Sequence, residues 1–194
     1  MDRGQAHTLE AITAAMILVS SLVFALQVTA VTPLTGSTSS QHIENQQGAV
    51  AEGVLATAEE NGTLVPTLLY WNESAGNWHG ATSDGYVRGP PPTTFGGVLE
   101  RAFLQQGIAF DLTLYYVDDD GDRQRVPVVD LGDPSDHAST ARRLVTLSDD
   151  DRLREPDESP SATTLENASY VVDDQDADQA LYSVVEVELV VWRM

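Results

Sequence analysis

The chain has 194 residues and carries 30 acidic against 10 basic residues, a formal net charge of −20. All ten basic residues are arginine and cysteine is absent, which excludes disulfide scaffolds, cysteine zinc sites, iron–sulfur clusters and thiol catalysis. So acidic a chain has no basic surface for a phosphate backbone, and we expect no nucleic-acid partner. Because the acidic residues are spread along the chain instead of forming a tail, the composition predicts a halophilic protein, whose charges molar salt screens.

The first predicted element is a membrane-spanning helix. Residues 11–31 carry no charge, and these 21 residues make a helix of about 31 Å, close to the thickness of bilayer hydrocarbon. A secretory signal peptide has an apolar core of about 7–15 residues, so the run is too long for one. Pro33 is expected to end or kink the helix just beyond the span. Arg3, the one basic residue near the span, favours a cytoplasmic N-terminus and an extracellular C-terminal domain.

The residues before the span, RGQ at 3–5 and TLE at 8–10, resemble the class III signal peptide of archaeal type IV pilins and pilin-like proteins. In that family a membrane peptidase cuts after a glycine that follows a basic residue, which implies cleavage between Gly4 and Gln5. The apolar helix then stays on the mature chain as its anchor, and in pilins it packs in the filament core. Glu10 is the counterpart of the family's acidic residue near the new N-terminus, although it is sixth instead of fifth in the mature chain.

Residues 1–47, and more faintly the strand at 190–193, also resemble a pilin-like membrane protein family of extremely halophilic archaea, mostly of unassigned function. The resemblance implies a leader at residues 1–4 and a transmembrane and assembly helix at 5–31. The partners it implies are the membrane, a prepilin-peptidase-like processing enzyme and other pilin-like subunits. Independently of any family, a carboxylate at a helix N-terminus is favoured by the helix dipole, so Glu10 is either an assembly residue or an interfacial cap.

Beyond the span, residues 32–62 are expected to extend the helix. Apolar residues recur at helical spacing over 38–60, and Gly62 stands just past the end. The exterior domain, residues 63–194, starts with a predicted short strand at 64–69 and a glycine- and proline-rich loop at 71–93. A helix then begins at Thr94 and is stopped by Gly107.

Strands dominate the rest of the exterior domain. Strict alternation predicts a strand over 108–116, which turns at 118–122 and returns over 123–129, with Pro127 indicating an edge position. Further strands are predicted at 142–147 and 182–192, with an acidic, proline-containing loop at 149–162 between them. Helices followed by an antiparallel sheet give an α+β fold, here with a long N-terminal transmembrane helix as in pilin-like proteins.

Three features of the exterior domain are candidate sites. The N-x-[ST] triplets at Asn61, Asn72 and Asn167 are acceptors for glycosylation of an extracellular domain. An Asp-rich turn holds weak candidates for a hard cation, but the EF-hand pattern fails because no glutamate stands at the twelfth loop position. Those aspartates are Asp118, Asp120 and Asp122. The aromatic residues of the 71–93 loop are either a partner surface or part of the core; they are Trp71, Trp78 and Tyr86.

Catalytic patterns are missing from the sequence. No two histidines are spaced i, i+3 or i, i+4, and neither a G-x-S-x-G elbow nor a phosphate-binding glycine loop is present. We therefore expect no enzyme, no cofactor and no metal. The sequence favours a membrane-anchored pilin-like subunit, a minor component of a surface filament. The alternative is a non-polymerising single-pass membrane protein with an exterior binding or adhesion domain.

Overall fold

The computed structural model describes residues 3–175 and 179–194, except for the side chains of residues 3–6 and 27–40. The chain divides into two compact units, Met1–Ile43 and Glu44–Met194. The first unit is helical over its described residues, and the second joins helices to antiparallel sheets. The α+β class that the sequence predicts is therefore confirmed.

Helix α1 covers Arg3–Glu60 and passes through Pro33, so the prediction that the helix ends there is wrong. A proline removes one hydrogen bond of an α-helix, and the hydrogen-bonded turns on either side of Pro33 continue the helix despite that loss. A kink at Pro33 stays a prediction. The C-terminal end lies where it was predicted: Gly62 adopts φ +65° and donates to the Glu59 carbonyl at 2.9 Å, while Thr63 donates to the Ala58 carbonyl at 2.8 Å. These two bonds form a Schellman motif.

The segment after α1 differs from its prediction. A short helix, α2, occupies Leu64–Leu68 where a strand was expected, because Leu64 and Leu68 lie four residues apart and both enter the core. A short apolar run does not tell a strand from a buried helix. The expected loop at 71–93 contains a small hairpin of β1 (Trp71–Asn72) and β2 (Asn77–Trp78).

Helix α3 covers Thr94–Ala102, as the sequence predicts. The hydroxyl oxygen of Thr93 caps it by accepting the Gly96 N–H at 3.1 Å. Its apolar face buries Phe95 and Leu99 completely. A 3₁₀ turn at Leu104–Gln106 follows, and Gly107, with φ +71°, ends the helical segment.

The remaining elements are strands. They are β3 (Ile108–Val117), β4 (Arg123–Val129), β5 (Ser139–Ser148), β6 (Arg152–Arg154), β7 (Pro160–Thr164) and β8 (Leu181–Arg193). Four of them form an antiparallel sheet in the order β4-β3-β8-β5, so the edge position predicted from Pro127 is confirmed. Strand β6 lies inside the segment predicted as a loop at 149–162 and β7 begins there, and strands of three and five residues leave too short a pattern to detect.

One face of the four-stranded sheet contributes to the core of the second unit. The fully buried apolar side chains on its two central strands are Phe110, Leu112 and Leu114 of β3 and Val185, Val187, Leu189 and Val191 of β8. The end of α1 adds Ala51, Leu55 and Ala58 to the same cluster. The alternation predicted for both central strands therefore determines which face points inward.

The opposite face of the sheet carries a chain of polar contacts across all four strands. The guanidinium of Arg123 in β4 lies 4.1 Å from the ring centre of Tyr115 in β3 and 2.6 Å from Glu186 in β8. On the other side, Arg142 in β5 lies 2.5 Å from Glu188, which also accepts the Tyr115 hydroxyl at 3.2 Å. Both arginines are therefore engaged by glutamates of the central strand.

Candidate functional site

The N-terminal part of α1 is the candidate anchoring and assembly site. Residues His7–Leu26 are long and apolar enough to cross a membrane. Ten large apolar side chains on this segment are 48–70% exposed, and four of them are consecutive, residues 16–19. Since successive helical residues are rotated by about 100°, these four side chains point in all directions around the axis. A helix that is apolar all round is typical of a membrane span or of a helix packed inside other helices.

Two hydroxyl groups in the middle of this segment are satisfied within the helix, and its ionisable groups lie near its start. The Thr13 hydroxyl donates to the Leu9 carbonyl at 2.8 Å, and the Ser21 hydroxyl donates to the Leu18 carbonyl at 2.9 Å. Such bonds remove the need for an outside partner in lipid. Glu10 is 81% exposed and lies 3.8 Å from the imidazole of His7, one turn earlier. The polar pair therefore sits at the N-terminal end of the apolar segment.

The predicted processing bond lies at the beginning of α1. The backbone is helical from Arg3 onward, while Met1, Asp2 and the side chain of Gln5 lie outside the described part of the chain. Cleavage between Gly4 and Gln5 therefore stays a prediction.

The three acceptor asparagines lie at different kinds of backbone. Asn61 is exposed in the turn after α1, and Asn167 is exposed at the end of a 3₁₀ turn, where its amide donates to the Thr164 hydroxyl at 2.9 Å. Asn72 is half-buried in β1, and its side-chain oxygen accepts the Ala75 N–H at 3.2 Å. Their glycosylation stays a prediction.

The Asp-rich turn between β3 and β4 is organised around one carboxylate. Asp118 accepts the backbone N–H of Asp120 at 3.1 Å and of Asp122 at 2.8 Å, and it accepts the Gln124 amide at 2.5 Å. The side-chain bond from Gln124, followed by the backbone bond from Asp122, lowers the pKa of Asp118 below its usual value. Across the part of the chain that the structure describes, no group of three or more acidic or histidine side chains is placed to hold a metal ion. Asp118 thus serves the turn itself.

The aromatic residues of the 71–93 segment belong to the core, which is the second of the two interpretations above. The rings of Trp71 and Trp78 meet edge to face with centres 5.1 Å apart, and Trp71 meets Tyr170 in the same way at 5.6 Å. The indole N–H of Trp71 donates to the Ser169 carbonyl at 2.9 Å. Tyr86 is also buried. These rings therefore offer no aromatic surface to a partner.

The family model of DUF7288, a family of unknown function, matches residues 3–191, and the chain belongs to this family. The match covers both the apolar helix and the sheet domain. No curated protein and no solved structure matches the chain.

Proposed function

We propose that this chain is a membrane-anchored, type IV pilin-like subunit and a minor component of a surface filament or pilus-like assembly. The observation that carries the proposal is the apolar segment of α1, whose side chains are exposed on every side. Burying one large apolar side chain is worth about 1.5–3 kcal/mol. The ten exposed side chains therefore represent roughly 15–30 kcal/mol that lipid or neighbouring helices supply.

The orientation follows from the charges on the two sides of the segment. Arg3 precedes it, while the unit that follows holds most of the chain's acidic residues. Arginine near a span is retained on the cytoplasmic side, so the N-terminus is cytoplasmic and the sheet domain is extracellular. In an extracellular domain the acceptors Asn61, Asn72 and Asn167 are also accessible to glycosylation.

The C-terminal part of α1 supports the resemblance to pilins. It packs through Ala51, Leu55 and Ala58 on an antiparallel sheet, which is the arrangement that the resemblance implies. In the proposed assembly, cleavage between Gly4 and Gln5 frees a new N-terminus, and Glu10 sets the register of the helix against its neighbours. Its position at the polar end of the segment, beside His7, keeps the carboxylate out of the apolar contact.

The decisive experiment identifies the N-terminal peptide of the native protein by mass spectrometry, in membranes and in sheared surface material separately. A chain that starts at Gln5 in the sheared fraction supports a processed filament component. Gln5 found in membranes alone supports a processed subunit that does not polymerise. A chain that starts at Met1 or Asp2 overturns the proposal and leaves the alternative of a single-pass protein with an exterior binding domain.

A substitution separates processing from folding. Gly4→Leu is expected to leave the full-length chain in the membrane, because the peptidase of the pilin family requires the glycine. Ala11→Leu is the matched control, since it adds the same side chain beyond the cleavage site. Trimming of Gly4→Leu to the same size as the native chain contradicts the assignment.

A further inference from the structure

The two edges of the four-stranded sheet are built differently. At the β4 edge, the Tyr86 N–H donates to the Val128 carbonyl at 2.9 Å, and the Asp130 N–H donates to the Tyr86 carbonyl at 3.1 Å. Pro127 removes a further donor from that strand. The β4 edge is therefore closed to an additional strand over its last residues.

The β5 edge is open. This ten-residue strand pairs with β8 on one side, and over residues 3–175 and 179–194 no strand pairs with its other side. An edge strand presents the N–H and C=O of every second residue away from its partner, ready to pair with another chain. On the face opposite the core, Leu144 is 65% exposed, so nothing covers the strand there.

A groove runs beside this open edge. Its volume is about 750 Å³, and it is bounded by residues 138–142 on the strand side and by one stripe of α1 on the other. The α1 residues are Glu44, Asn45, Gly48, Ala49 and Glu52. The stripe meets β5 near one end of the groove, where the Ser139 hydroxyl donates to the Glu44 carbonyl at 2.8 Å. Gly48 and Ala49 add little side-chain bulk to the rest of the wall.

The α1 wall of the groove is acidic. Glu52 forms no ion pair within the described residues, and the Glu44 carboxylate pairs with His137, at 2.7 Å. Arg142 also lines the groove, but its guanidinium is bound to Glu188. The two glutamates are eight helical residues apart, about 12 Å along the axis. Side chains at i and i+4 of an extended strand are about 13 Å apart on the same face, so the spacings match.

We propose that this groove binds an extended segment of a partner protein, which adds to the β5 edge as a fifth strand and places arginine or lysine side chains on Glu44 and Glu52. Backbone pairing supplies the affinity, as in other complexes formed by strand addition, and the acidic wall selects the sequence. A second copy of this chain fits less well, because its β4 edge is closed over its last residues and its β5 edge brings another acidic α1 wall to the same interface.

The test uses the full chain in detergent micelles and the synthetic peptide acetyl-Thr-Arg-Thr-Val-Thr-Arg-Thr-amide, whose arginines are spaced i, i+4. Binding is measured by calorimetry, and amide hydrogen exchange at residues 138–142 reports where the peptide lies. Two further peptides are N-methylated at odd or at even positions. One of these two is expected to lose binding, because an added strand pairs through alternate residues. Retained binding by both contradicts strand addition.

Charge selection is tested with Glu52→Arg and with Glu100→Arg, a matched control on the exposed side of α3. We expect Glu52→Arg to weaken peptide binding at least tenfold and Glu100→Arg to weaken it less than twofold. In the native chain, the bound peptide is expected to slow amide hydrogen exchange at residues 138–142. Equal binding of a peptide with glutamate for arginine, or equal loss in both variants, overturns the proposal. Amide exchange at residues 138–142 that slows as the protein concentration is raised without peptide also overturns the proposal. That result identifies a second copy of the chain as the occupant of the groove.

Discussion

The carboxylate of Glu158 accepts two hydrogen bonds from Thr94, one from its backbone N–H at 2.8 Å and one from its hydroxyl at 3.1 Å. Thr94 is the first residue of α3, so the carboxylate lies at the positive end of the helix dipole. Glu158 reaches it from the β6–β7 turn with φ +64°, the left-handed conformation that residues other than glycine rarely adopt. Glu158 therefore stabilises α3 by capping it, while its own left-handed backbone conformation costs free energy.

Replacing Glu158 separates these two effects. Glu158→Ala loses the cap and keeps the left-handed cost, so we expect the free energy of unfolding to fall by about 1–2 kcal/mol. Glu158→Gly loses the same cap but relieves the backbone, and we expect it to be about 1 kcal/mol more stable than the alanine variant. Urea unfolding followed by tryptophan fluorescence measures both, because all three tryptophans lie in the sheet unit. Equal stability of the two variants would show that the backbone carries no cost.

Asp111 is a buried carboxylate on β3 and predicts a pH dependence. Burial raises the pKa of Asp111 to about 6. The Leu131 N–H, which donates to the carboxylate at 2.8 Å, lowers the pKa but does not outweigh burial. The folded state therefore holds a proton that the unfolded state, with an ordinary pKa near 4, has released. Between about pH 4 and pH 6 the stability of the native chain is expected to fall as the pH rises.

Asp111→Asn removes that dependence and keeps an oxygen that accepts the Leu131 N–H. Because one pKa unit corresponds to about 1.4 kcal/mol, we expect the variant to be about 1–3 kcal/mol more stable than the native chain at pH 7. The advantage is expected to shrink toward pH 4, where the native carboxyl is protonated. Asp119→Asn, on the exposed turn, is the control and is expected to leave the pH profile unchanged. A stability difference between the native chain and Asp111→Asn that stays constant over this range contradicts the raised pKa of Asp111.

The long, regular elements of the fold were predictable from the sequence. The alternation in β3 and β8, the capped helix at Thr94 and the stop at Gly62 each rest on a local pattern that tertiary packing also favours. The failures are the helix end at Pro33 and the short elements. Leu64–Leu68 is one helical turn whose identity depends on which side chains reach the core, and local sequence carries no such information.

The site was predictable only in part. The uncharged run predicts a helix that is long and apolar enough to cross a membrane, and the structure has such a helix at His7–Leu26. The acidic groove at β5 had no sequence signal. Glu44 and Glu52 look like any exposed glutamates of a halophilic helix, and the open edge appears only once the order β4-β3-β8-β5 is known. Strand order is set by contacts between residues far apart in the chain.

The net charge of −20 predicts stabilisation by salt. Self-repulsion opposes the compact state, and the Debye length falls from about 8 Å at 0.15 M to about 3 Å at 1 M. We expect the urea midpoint of the sheet unit to rise with sodium chloride and to gain most of the increase below about 1 M, where screening changes most. Sucrose at matched osmolality is the control, because it does not screen charge. A midpoint that responds equally to both solutes would assign the effect to solute exclusion instead.

Gly96 and Gly97 are neighbours in α3, but only Gly97 has room for a larger side chain. A Cβ atom at Gly96 would overlap the backbone carbonyl oxygen of Pro91, since the first turn of the helix packs directly on that segment. At Gly97 the nearest atom would be the guanidinium tip of Arg101, 3.4 Å away, which is free to move. The close approach of α3 to the Pro91 carbonyl, and not helix propensity, therefore explains why a glycine stands at position 96.

We expect Gly96→Ala to lower the free energy of unfolding by about 3 kcal/mol, because the clash is with backbone and cannot be relieved by a side chain. Gly97→Ala is expected to raise it by up to about 1 kcal/mol, the usual gain when alanine replaces glycine in a helix. Urea unfolding followed by tryptophan fluorescence compares the two directly. If both variants are stabilised, the helix has room at Gly96, and α3 does not pack against Pro91 as closely as this geometry requires.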